Sequence, residues 1–254
     1  MHSNLDCHVA YFSMDENNPR IKKHCAEGGY AAVFENGYVT IMKSTWKIRV
    51  AKVTEIPITY GGKALHNVMN TLPSVLATYL FKDISIEDIR TALRTFVPSP
   101  AQTPGRLNIF EFKKFRFIVD FAHNPAGLEL LCDFQSKMDG SPKIGIISGT
   151  GDRRDEDIKD LGRISAKYFD EIIIRCDKNL RGRTAEEIVD LLVQGINDTK
   201  TRDIPMKIIL NERDAITWAY NNAPQGSLIT IMCDVVADAL DFINSLKEKE
   251  DAEG

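Results

Sequence analysis

Two stretches of this chain carry residue types that can do chemistry. The first is Asp120-Phe121-Ala122-His123-Asn124-Pro125, at the end of an apolar run. A carboxylate there can accept sugar hydroxyls, and an imidazole can reach a substrate. Pro125 suits the first position of a helix and Asn124 its cap, so half of the motif also has a purely structural reading. The second stretch is Gly149-Thr150-Gly151-Asp152-Arg153-Arg154-Asp155-Glu156-Asp157. Glycines let a backbone approach a ligand, arginines grip carboxylate or phosphate bidentately, and carboxylates hold a cation. A capped helix start with ion pairs inside the loop would use the same residues. Arg181 and Arg183 add cations in the loop after the next expected strand.

Two common phosphate-binding signatures fail. Around Gly61-Gly62-Lys63, the motif G-x-x-x-x-G-K-[ST] finds Pro57 in place of its first glycine and Ala64 in place of its hydroxyl. Gly149-Thr150-Gly151-Asp152-Arg153-Arg154 places arginine where a dinucleotide fingerprint needs its third glycine for close packing. Cys7-His8 and His24-Cys25 offer four zinc ligands on paper, yet adjacent ligands strain tetrahedral geometry, so no metal site is expected. The remaining cysteines, Cys132, Cys176 and Cys233, are scattered and read as free thiols.

The whole chain limits the partners further. Its 254 residues hold 32 Lys and Arg against 36 Asp and Glu, a net charge of −4, which argues against a nucleic-acid surface. A hydrophobic content of 43% argues against disorder. With neither a long apolar run nor a basic-then-apolar leader, a cytoplasmic location away from membranes is expected.

The elements that must position these residues fall into two textures. Residues 1–60 read as short strands, at 8–12, 30–34, 38–42 and 46–50, with Asn36-Gly37 as a hairpin turn. Beyond Gly61-Gly62, apolar residues from Leu65 to Leu80 recur at helical steps, and Pro73 is expected to kink or divide that helix. Ser85 caps a second helix, with Asp88 where a capping box would have Glu or Gln. Pro98, Pro100 and Pro104 then break the chain, and a domain boundary is placed at 104/105. From Arg106 onward strand and helix alternate: strands at 115–121, 143–148, 171–175, 206–210 and 227–232, helices at 125–138, 155–169, 184–195, 213–222 and on to about 249. Strands so apolar on both faces belong in a parallel sheet covered by helices, a doubly wound α/β domain with its ligand face at the strand carboxyl ends.

The motif Asp120-Phe121-Ala122-His123-Asn124-Pro125, with Pro104-Gly105-Arg106 and His66-Asn67-Val68-Met69-Asn70 before it, resembles the Mur ligase superfamily. Within it, Gly29 to Gly37, Gln102 to Asn108, Gly151 to Asp157 and Arg181-Gly182-Arg183 are similar to the cyanophycin synthetase family. The resemblance implies a Rossmann-like C-terminal Mur ligase domain at 105–254, preceded at 1–104 by part of a central ATPase domain. It implies an ATP-dependent amide ligase that activates a carboxylate as an acyl phosphate and joins an amino acid to it, arginine on an aspartate polymer in that family. The family's ATP-grasp region, phosphate loop and magnesium-holding Glu and His would lie ahead of Met1. The chain is therefore expected to be the end of a longer ligase and inactive alone.

Carried over by residue, the resemblance makes Asn67 and Asn70 adenine contacts, their spacing placing both amides on one helix face. Arg106 and Asp120 would meet phosphates and ribose of the same nucleotide, and His66 is read as structural. His123, Asn124, Asp152, Arg153, Arg154, Asp155, Arg181 and Arg183 are the candidates for the amino-acid or polymer substrate, and no catalytic residue is assigned. A cell-wall or folylpolyglutamate type of ligase, or a non-catalytic binding module, are the alternatives. The oligomeric state, homo-oligomer included, stays open.

Overall fold

The computed structural model describes residues 7–81 and 83–253. The chain divides into two compact units, residues 1–98 and 99–254. The proline-rich stretch expected to end the first unit groups with the second instead, because hydrogen bonds tie its turns to one another and to Asn108. Thr103 N–H donates to the Ser99 carbonyl at 2.8 Å, and Asn108 Nδ2 donates back to the Thr103 carbonyl at 3.0 Å.

The first unit is built on a mixed sheet of four strands in spatial order: β1 (Ala10–Ser13), β2 (Tyr30–Glu35), β3 (Tyr38–Lys43) and β4 (Trp46–Lys52). β1 and β2 are parallel and are joined by a short helix, α1 (Pro19–Ala26), which Asn18 caps. β2 and β3 form the expected hairpin; Asn36 (φ 49°) and Gly37 (φ 82°) both adopt the left-handed backbone that this tight turn demands. Helices α2 (Leu65–Tyr79) and α3 (Ile86–Thr95) cover one face through Val68, Leu72, Val75, Leu76 and Ile89. Ile21 and Cys25 of α1 pack in a second cluster with Ala31, Val33 and Met42. Pro73 was expected to kink or divide this helix; it does not divide it, and α2 runs through it as one helix. Asp88 does close a capping box, accepting the Ser85 N–H at 3.1 Å while Ser85 Oγ accepts the Asp88 N–H.

The second unit contains β5 (Asn108–Glu111), β6 (Arg116–Asp120), α4 (Pro125–Ser136), β7 (Lys143–Ile147), α5 (Asp155–Tyr168), β8 (Glu171–Ile174), α6 (Ala185–Thr199), β9 (Met206–Ile208), α7 (Glu212–Asn222), β10 (Leu228–Met232) and α8 (Val236–Ala252). Its six strands lie in the order β5-β6-β10-β7-β8-β9, all parallel except β5, an antiparallel edge not expected from the sequence. Helices α7 and α8 bury Ala215, Ile216, Ala219, Ala239, Leu240 and Ile243 against Phe117, Val119, Ile144, Ile146, Ile229 and Ile231. Strand residues alternate between faces, so the buried Ile118, Ile172, Ile174 and Leu228 belong to the other face. Helices α4, α5 and α6, packed side by side, supply its cover. This is the doubly wound arrangement that the alternation of strands and helices implied.

The order of strands sets where a crevice can open. β10 sits between β6 and β7, and its following helix α8 lies on the face opposite to α4 and α5, which follow β6 and β7. Loops leaving neighbouring strands toward opposite faces open a crevice at the carboxyl edge of the sheet.

Candidate active site at the carboxyl edge of the sheet

A pocket of about 130 Å³ occupies that crevice in the second unit. Four strand ends line it: Phe121 to His123 after β6, Met232 to Asp234 after β10, Ser148 and Thr150 after β7, and Arg175 and Asp177 after β8, with Arg153 and Arg181 from the loops. Both signs of charge face one small space, the arrangement a zwitterion requires.

The structure brings some expected site residues together and gives others different work. His123, Arg153 and Arg181 line the pocket, and Asp152 joins them indirectly by pairing with Arg181 at 2.8 Å. That partner holds the Asp152 carboxyl below its ordinary value. Asn124 instead caps α4, its Oδ1 accepting the Gly127 N–H at 2.8 Å. Arg154 turns outward to a bidentate pair with Asp157, with 83% of its side chain exposed. Arg183 is a loop clamp: it donates to the carbonyls of Gly151 and Arg153, and to Asp155 at 2.6 Å. Gly151 was expected to let the backbone approach a ligand. The close approach is internal, since a Cβ there would lie 1.9 Å from the Leu180 carbonyl oxygen.

Asp120 is buried, and both carboxylate oxygens are engaged by backbone: Oδ2 accepts the Leu107 N–H and Oδ1 the Ala122 N–H, each at 2.9 Å. Burial raises its carboxyl above the ordinary range, while these N–H groups and Arg106 pull the other way. The Gly105 carbonyl in turn accepts the Phe121 N–H at 2.9 Å, so the Gly105-Arg106-Leu107 loop is laced to the end of β6. The Arg106 guanidinium stacks over the Phe121 ring, 5.8 Å from its centroid.

Within the first unit, Asn67 and Asn70 share a face of α2, as their spacing implied. Both line an apolar groove of about 470 Å³ between α2 and α3, with Ile56, Ile58, Ile89 and Phe96. Asn67 Nδ2 donates to the Ile58 carbonyl at 2.8 Å. Among the described residues, no group of three His, Cys, Asp or Glu stands close enough to hold a metal ion.

Sequence reasoning passed over Ser148, Arg175, Asp177 and Asp234, all of which line the pocket, and named Thr150 only as part of its loop. The available signal was Arg175, a cation directly after the apolar Ile172-Ile173-Ile174, with Asp177 beside it.

A model of the family described as Mur ligase, glutamate ligase domain, matches residues 105–234, which span the whole pocket. The chain belongs to the Mur ligase family. This Mur ligase chain is 40% identical over 235 residues to the cyanophycin synthetase of Nostoc sp. (strain PCC 7120), covering 92% of the chain and 26% of that protein. Against the cyanophycin synthetase of Synechocystis sp. (strain PCC 6803) it is 39% identical over 239 residues, 94% of the chain and 27% of the relative. It thus spans about a quarter of the length of these relatives. Among solved structures, FolC of E. coli in complex with DHPP and ADP matches with a TM-score of 0.59 at 16% identity, covering 93% of this chain and 53% of that one. At that identity the likeness is one of fold. No helix of the described residues is long and apolar enough to cross a membrane.

Proposed function

We propose that this chain is the C-terminal portion of an ATP-dependent amide ligase of the cyanophycin synthetase kind, and that the carboxyl-edge pocket receives the amino acid to be joined. The observation that carries this reading is the pocket itself: Arg153 and Arg181 beside Asp177 and Asp234, at the switch point of the sheet. An amino acid presents a carboxylate and an ammonium group at once, and arginine adds a planar cation. Guanidinium groups suit the carboxylate and carboxylates suit the cations.

In this reading ATP phosphorylates a polymer carboxylate and the bound amino acid's amine attacks the acyl phosphate, releasing phosphate. The pocket's part is to bind and orient the amine and to keep water away from it. Asn67 and Asn70 are assigned to adenine, and Arg106 to phosphate. Asp120, each of whose oxygens accepts one backbone N–H, would meet ribose with its remaining lone pairs while holding the Arg106 loop. The described residues offer no cluster for magnesium, so no step is assigned to that ion. Without a G-x-x-x-x-G-K-[ST] loop, the 254-residue chain is expected not to turn over ATP.

The test has two readouts on the purified chain. Titration with L-arginine should shift backbone amide resonances at 149–153 and 177–181, and incubation with ATP, magnesium, arginine and an aspartate polymer should release no phosphate. Resonance shifts confined to other regions would refute the pocket assignment, and phosphate release would refute the inactivity.

A further inference from the structure

One cation of the pocket is too deeply enclosed to hold a substrate by itself. Arg175 is 1% exposed, an arginine sealed at the end of an apolar strand. Its Nη1 donates to Asp177 Oδ1 at 2.6 Å, its Nη2 donates to the Met232 carbonyl, and its Nε stands 3.3 Å from Glu212 Oε2. Ser148 Oγ donates to the same Asp177 oxygen at 3.0 Å. Glu212 Oε2 also accepts the Asp234 N–H at 2.7 Å, tying α7 to the end of β10.

Two features of this network bear on a ligand. Asp177 Oδ1 receives two donors, whereas Oδ2 accepts none from the described residues, and Asp177 lines the pocket. The carboxylate is therefore held by one oxygen with the other left for a visitor. Charge points the same way. Arg175 faces Asp177 and Glu212 together, with Asp234 next to Glu212, so this wall gathers carboxylates around the one buried cation.

We propose that Arg175, backed by Glu212 and Ser148, is a positioning residue that locks Asp177 so that its second oxygen receives the cationic nitrogen of the incoming amino acid. This rests on reading the pocket as the amino-acid site. Arg153 and Arg181 remain for the ligand's carboxylate. A flexible Asp177 would rotate between pocket and solvent; the double clamp on Oδ1 removes that freedom before the ligand arrives, which lowers the ordering cost of binding.

The test is a resonance-shift titration of the 254-residue chain with L-arginine, L-citrulline, which lacks the side-chain charge, and Nα-acetyl-L-arginine, which lacks the α-ammonium. Wild type should bind L-arginine and discriminate against one of the two analogues, each of which lacks one cation, and which one identifies the nitrogen that Asp177 holds. Ser148→Ala should weaken L-arginine roughly tenfold, the loss expected for a hydrogen bond to a charged group, and should narrow that discrimination while the melting temperature stays put. Arg175→Lys should do the same more strongly, and Asp177→Asn should remove the discrimination. If Arg175→Lys fails to fold, Ser148→Ala and Asp177→Asn decide. A purely structural network would weaken all three ligands equally or leave discrimination intact, and either result overturns the proposal while the pocket assignment stands. Binding of none of the three ligands by wild type overturns both.

Discussion

Asp120 shows how a single carboxylate can be drawn by opposing forces. Burial favours its protonated form, and the Leu107 and Ala122 N–H groups with Arg106 favour its ionised form; the balance leaves its pKa raised above the ordinary value. A carboxyl whose pKa is higher folded than unfolded contributes stability that is full below the unfolded value and is lost as pH rises through the folded one. Asp120→Asn is neutral throughout and sacrifices one backbone acceptor, so the variant should be less stable than wild type by about 1–3 kcal/mol at a pH of about 4. That deficit should shrink as the pH rises toward neutrality. Urea unfolding at the two pH values measures it. A deficit that grows with pH would mean that the backbone N–H groups outweigh burial.

At the scale of elements, α2 is the informative case. Proline lacks the N–H that the Met69 carbonyl would receive, yet the helix continues through Pro73. Its apolar face is the reason: Val68, Leu72, Val75 and Leu76 are all buried against the sheet, and that packing outweighs one missing hydrogen bond. Thr71 and Ser74 hydroxyls also donate back to the Asn67 and Asn70 carbonyls, at 2.7 and 2.9 Å. Pro73→Ala should therefore stabilise the first unit by about 1–2 kcal/mol, the restored helix propensity less the proline's restriction of the unfolded chain. Chemical denaturation read from Trp46, on β4, reports it. An unchanged or lowered midpoint would show that the proline is required where it stands.

For the whole molecule, the chain carries one tryptophan in each unit, Trp46 and Trp218. We expect the units to unfold as separate cooperative bodies, since each has its own sheet and its own apolar clusters. In the Trp218→Phe variant fluorescence follows the first unit, and in the Trp46→Phe variant the second. The Pro73→Ala change should move the first transition and leave the second in place. Coincident transitions that shift together would show a single cooperative body.

Much of the second unit was legible in the sequence, because strands of buried Ile, Val and Leu alternating with amphipathic helices leave few alternatives to a covered parallel sheet. The hairpin at Asn36-Gly37 and the helix cap at Ser85 were legible for a similar reason: each depends on residues a few positions apart. Local chemistry also marked His123, Arg153 and Arg181 as candidates for the pocket. The short helix α1 was missed because eight mostly polar residues give too little periodicity, and β5 because an edge strand of four residues carries almost no pattern. Other matters lay beyond any local reading. Whether an arginine clamps the neighbouring loop, as Arg183 does, or faces solvent, as Arg154 does, is decided by which strand ends become neighbours. For Arg183 the neighbour is the end of β7, which pairs with β8, while on the other side of β7 the strand β10 inserts between it and β6. The same insertion sets Arg175, Asp177, Glu212 and the Met232 carbonyl around one point, from three elements far apart in the chain. Sequence by itself determined the layers and the edge where a ligand would sit, because burial patterns are periodic and local. Only the tertiary structure decided which charges meet there, because pairing between distant strand ends depends on strand order, and no short-range pattern encodes it.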